Sequence, residues 1–67
     1  MKIRFVKNIT VDVEKPRLNE VWDKTFYKWD ELVIEKIIPE DNHLATLQTY
    51  EGDFILDVPM DVFEILT

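Results

Sequence analysis

Apolar and polar residues alternate from the start of the chain: Ile3 and Phe5 interleave with Lys2 and Arg4, and Ile9, Val11 and Val13 interleave with Thr10, Asp12 and Glu14. A period of two is the pattern of a strand with one face in a core and the other in water. The apolar phase is odd through both runs. Val6-Lys7-Asn8 between them is expected to form a bulge or bend, because Asn tolerates unusual backbone angles. Glu14 to Asn19 contains Pro16 and loses the alternation, so it reads as a loop.

Glu20 to Trp29 fits two patterns. Val21, Trp22, Thr25, Phe26, Tyr27 and Trp29 are β-branched or aromatic, which suits a pleated surface. Leu18, Trp22, Phe26, Trp29 and Val33 also fall at helical spacing, with Pro16 where a helix could begin. Extended structure is expected, because β propensity persists through both candidate faces.

Leu32 to Ile38 reads as one strand that stops at the turn cluster Pro39-Glu40-Asp41-Asn42. His43 to Tyr50 is a further strand with Ala45, Leu47 and Thr49 on one face. The chain's single glycine follows in Glu51-Gly52-Asp53, where a tight hairpin turn needs a positive φ. Phe54 to Val58 is the return strand. Pro59 cannot donate a ladder hydrogen bond, so Met60-Asp61-Val62 is expected to form one 3₁₀ turn before a last strand at Phe63 to Leu66. Such a turn bends a sheet back so that its last strand meets its first.

This order resembles an SH3-like barrel over nearly the whole chain. The resemblance rests on a first strand, a long irregular excursion, "FYKWDELVIEKI", "HLATLQTY", a tight turn at "EGD", "FILDV", and "PMDVFEIL". It implies an all-β fold: a single domain over residues 1–67, built as a closed five-stranded barrel with a proline-led 3₁₀ turn before the last strand. Peptide-binding SH3 domains carry an aromatic pair at the start of the third strand and a Tyr in the proline-led turn. Here those places hold His43-Leu44-Ala45 and Val62, so the groove for proline-rich peptides is expected to be absent.

Composition adjusts this picture. A chain of 67 residues buries only about 60% of its unfolded surface, so its core must be efficient. A hydrophobic fraction of 46% supplies that core, while 33% charged residues keep the exterior wet. With no Cys, stability cannot come from disulfides, and a cytoplasmic location is the default expectation. The first residues lack the continuous apolar run of a signal peptide, and no stretch approaches the roughly 20 apolar residues that span a bilayer.

The net charge of −6 is unevenly spread. Met1 to Arg17 is basic by +3, and from Ile37 onward there is no Lys or Arg against seven acids. Such a field disfavours nucleic acid and anionic membrane surfaces as partners.

Candidate chemistry is sparse. His43 beside Glu40, Asp41 and Asn42 lacks the several ligands at hairpin or helical spacing that a metal site takes, and a solvated turn is the simpler reading. Paired acids such as Asp30-Glu31 and Glu40-Asp41 diverge instead of opposing one another across a cleft. No phosphate loop, nucleophile elbow or Cys-His pair occurs, so the sequence reads as a non-enzyme without a cofactor.

Binding is the remaining class. Trp22, Phe26, Tyr27 and Trp29 read either as core packing or as a contact surface, and adjacent aromatics on a strand cannot all face inward. Glu51, Asp53, Asp57, Asp61 and Glu64 read either as a solvating surface or as a negative face for a basic partner. Asp57 and Asp61 flank Pro59 and are expected near the turn. Closing the fold would bring Lys2 and Arg4 near Glu64.

The function expected from these residues is a non-catalytic protein-interaction module or small accessory protein. Its protein contacts fall at Trp22, Phe26, Tyr27, Trp29, Asp57 and Asp61. The alternative is an acidic inhibitor or nucleic-acid mimic that occupies a basic groove on its target. Nucleic-acid binding would require Lys2, Arg4, Lys7, Lys15 and Arg17 to share one exposed face.

Overall fold

A computed structural model describes all residues, Met1–Thr67, and contains eight strands and no α-helix. They are β1 (Lys2–Phe5), β2 (Ile9–Lys15), β3 (Glu20–Phe26), β4 (Glu31–Val33), β5 (Lys36–Pro39), β6 (Leu44–Gln48), β7 (Phe54–Pro59) and β8 (Phe63–Ile65). 3₁₀ turns occupy Pro16–Leu18 and Met60–Val62. The strands form two antiparallel sheets, in the orders β4-β1-β8 and β3-β2-β7-β6-β5. The fold is therefore all-β.

Two details of the expectation are corrected. There are eight strands instead of five, and the sheets are not closed into a barrel. Both follow from strands that change partners. The first run breaks at Val6–Asn8, so β1 and β2 belong to different sheets. The Leu32–Ile38 run breaks at Ile34-Glu35, where the Ile34 N–H donates to the Met1 carbonyl and the next N–H, of Glu35, donates to Gln48. Two consecutive amides thus hydrogen-bond to opposite sheets, and one ladder cannot continue through them. The excursion supplies the remaining strand, β3.

The turns follow local chemistry. Pro16 opens the first 3₁₀ turn, and Asn19 ends it in the left-handed region (φ 53°), its N–H donating to the Pro16 carbonyl at 3.1 Å. This turn pairs Ile9 with Phe26 and Lys15 with Glu20 in a long hairpin, with Glu14 and Lys15 still in strand. The Glu20–Trp29 stretch is extended through Phe26, and its competing helical spacing is overridden by that pairing. Gly52 has φ 87° in the β6–β7 turn, as a tight reversal demands. Beyond Pro59 the second 3₁₀ turn redirects the chain, and β8 lies against β1 with Phe5 opposite Phe63.

The core joins both sheets. Ile3, Phe5, Val11, Val13, Phe26 and Ile34 pack with Leu47, Ile55, Val58, Val62 and Phe63. The odd-phase residues of β1 and β2 face inward, as the alternation predicts. Phe5 stacks on Phe26 with ring centroids 4.5 Å apart and meets Phe63 edge-on at 6.5 Å, so one ring ties three strands from two sheets together. Each buried Phe contributes about 1.5–3 kcal/mol through removal of apolar surface from water.

Candidate protein-binding surface

The aromatic cluster divides. Phe26 is 6% exposed and belongs to the core, which removes it from any contact surface. Trp22, Tyr27 and Trp29 are 54%, 59% and 59% exposed, so core packing is not their role. Trp22 opposes Val13 across the hairpin and therefore lies on the core-facing side of β3, yet it stays outside the buried core with more than half of its surface exposed. Its indole N–H bonds Glu20, and the Lys15 ammonium stands 5.8 Å from the ring centroid.

The turn after β3 is held from both sides. The Asp30 carboxylate accepts the Tyr27 N–H at 2.8 Å, and Asn8 Oδ1 accepts the Lys28 N–H at 2.7 Å. The Trp29 N–H donates to the Phe5 carbonyl at 2.7 Å, and the Phe5 N–H donates to the Asp30 carbonyl at 2.8 Å. Trp29 sits at φ 77°, an uncommon conformation for a bulky residue, with Arg4 and Lys28 at 5.4 Å and 4.9 Å from its ring.

Three of the five acids in the C-terminal run carry ion-pair partners. Asp53 pairs with Lys15 at 2.9 Å, Asp61 with Lys7 at 3.6 Å, and Glu64 with Arg4. Of the five acids from that run, only Glu51 and Asp57 lack an ion-pair partner. Lys2 pairs with Glu31 at 3.0 Å, so Arg4 alone reaches Glu64. The same pairs occupy Lys2, Arg4, Lys7 and Lys15, which leaves Arg17 as the unpaired member of the basic N-terminal set.

Three acids without an ion-pair partner, Asp12, Asp23 and Asp57, gather on the outer face of the β2-β3-β7 region. Hairpin register sets Asp12 opposite Asp23, with Thr10 opposite Thr25 beside them and their hydroxyls 2.8 Å apart. Asp57 joins the pair through a bulge. Ala45 pairs with Val58 and Leu47 with Ile55, so Leu56 and Asp57 together oppose Thr46. Asp57 adopts φ 51° there. The inserted residue lets Ile55 and Val58 both enter the core while turning Asp57 to the surface.

Asp12, Asp23 and Asp57 line one shallow depression of about 220 Å³, and none has a cation within ion-pair distance. A hydrogen bond to Asp23, partial desolvation and the neighbouring charges of Asp23 and Asp57 raise the Asp12 pKa above its usual value of 3.8. No group of three or more His, Cys, Asp or Glu side chains, this trio included, is placed to hold a metal ion.

Asp57 and Asp61 do not share a site. Asp61 borders a separate open cleft of about 650 Å³ with Asn42, His43, Leu44, Pro59 and Met60. Asn42 and His43 make the turn there at φ 60° and 61°.

Sequence reading named Asp57 and missed Asp12 and Asp23. Two signals could have found them. A hairpin closed over Pro16–Asn19 puts the two aspartates opposite one another, and Ile55 and Val58, three apart, share a face only if the strand gains a residue between them. No helix is long and apolar enough to cross a membrane. No protein family, curated protein or solved structure matches the chain.

Proposed function

We propose that this chain is a non-catalytic protein-interaction module that docks on a basic surface of a partner protein through the β2/β3 hairpin. The observation that carries this reading is the convergence of Asp12, Asp23 and Asp57 with no cation beside them. Like charges directly opposed in a sheet are destabilising, and a left-handed non-glycine residue adds backbone strain at the same place. An arrangement that costs stability in the free protein is relieved when a partner's Lys or Arg arrives, which also steers the encounter. Trp22, exposed on the opposite face of the same hairpin, supplies the residue type that anchors protein contacts.

Kinship with SH3-like proteins is proposed on element order: β1 beside β8, the excursion hairpin, the tight turn at Gly52 and the 3₁₀ turn after Pro59. It is a kinship with open sheets, and without the aromatic groove. The inhibitor reading uses the same face, since a nucleic-acid mimic presents carboxylates where phosphates would sit. The test is capture of the partner by the immobilised chain at about 50 mM and about 300 mM salt, where screening lengths differ by more than twofold. Capture falls at the higher salt, and the triple variant Asp12→Asn, Asp23→Asn, Asp57→Asn loses it at both. Retention by that variant defeats the proposal. Competition by duplex DNA for the captured protein selects the mimic.

A further inference from the structure

β3 ends the five-stranded sheet, and the backbone hydrogen bonds of Glu20–Phe26 run to β2 alone, so one full edge of donors and acceptors is open. The other edges are blunt. β4 and β8 have three residues each, and β5 has four and ends in Pro39. β3 has seven residues, no proline, and exposed side chains at every position from Glu20 to Lys24. Its two faces differ in chemistry. Val21, Asp23 and Thr25 lie on the side of Asp12, whereas Trp22, Lys24 and Phe26 lie on the core-facing side.

We propose that β3 captures an extended segment of the basic partner by strand addition. The incoming backbone pairs with the open edge, its alternate Lys or Arg side chains lie over Asp23 and Asp12, and the intervening apolar side chains cover Trp22. This rests on the docking function proposed above and names its mode. Charge complementarity selects the occupant. A second copy paired antiparallel about a two-fold axis would continue the same outer face, placing the Asp12, Asp23 and Asp57 groups of both copies on one surface with no cation between them. A segment alternating basic and apolar residues meets the acids on one face and the indole on the other.

The probe is a synthetic peptide of about eight residues alternating Lys and Val, added to the full chain at low ionic strength. Binding slows exchange of alternate amides within Glu20–Phe26 by about tenfold or more, because strand addition hydrogen-bonds only the edge-facing ones. In the Asp12→Asn, Asp23→Asn variant, affinity falls by about tenfold or more. Binding without amide protection overturns strand addition and leaves the acidic-face function standing. Protection with unchanged affinity in that variant overturns the charge selection and, with it, the docking function. Absence of binding, equal binding of a Glu-Val peptide, or a free protein that sediments as a dimer with β3 amides already protected also overturns the proposal.

Discussion

Trp22 and Phe26 share a strand and a face, and their fates are opposite. Phe26 is stacked on Phe5 in the interior, whereas Trp22, two pleat repeats away on the same face, is mostly exposed. Both are aromatic and both point to the core side of β3. The difference is what lies across from them: Phe5 of β1, in the other sheet, stacks on Phe26, while Trp22 has no place in the buried core. A strand face is therefore inward only as far as another layer extends, and the remainder of the hairpin becomes available for contact.

Four experiments bear on that contrast. Phe26→Ala has the largest expected effect, a loss of about 3–5 kcal/mol in chemical denaturation, since it empties a stacked position in a small core. A loss below about 1 kcal/mol would mean that this end of the hairpin is no more packed than the other. Gly52→Val is next. Nothing lies within 4 Å of an added Cβ, so the cost is backbone strain at φ 87°, about 1–3 kcal/mol by the same measurement. A smaller loss would show that the β6–β7 turn rearranges freely, making the fixed turns at Pro16 and Pro59 the ones that matter.

The third concerns pH. Between 3.8 and its raised folded pKa, Asp12 holds a proton in the folded chain that the unfolded chain releases. Stability is then greatest below 3.8 and is lost as pH rises through the folded pKa. Asp12→Asn removes this dependence. Its thermal midpoint should exceed the parent's at neutral pH and approach it in acid, and an unchanged neutral midpoint would mean that the acidic face imposes no cost.

Trp22→Ala is the smallest, within about 0.5 kcal/mol of the parent because the ring is mostly exposed. The same substitution should lose partner capture. A loss of stability comparable with that of Phe26→Ala would return Trp22 to the core.

Much of the fold was legible. Ile3, Phe5, Val11 and Val13 announced their buried face by alternation, and Gly52 and Pro59 marked the two reversals that set β7 and the last turn. The closing pairing of β8 with β1 followed from that turn. Less of the candidate site was readable. Asp57 was named from the sequence, but its companions Asp12 and Asp23 come from a different strand pair. Asp53, Asp61 and Glu64 looked like an acidic run and are each neutralised by a Lys or Arg distant in sequence.

Sequence by itself determined the properties that depend on neighbouring residues: strand periodicity, the side chain's face, and the places where proline or glycine forces a turn. These are steric and local, so they survive without knowledge of the fold. Tertiary structure alone decided where a strand changes sheets at Ile34, which inward positions find a second layer, and how two hairpin aspartates and a bulged third come to share one surface. Those outcomes depend on the register and reach of paired strands, several of them far apart in the chain, which local periodicity does not fix by itself.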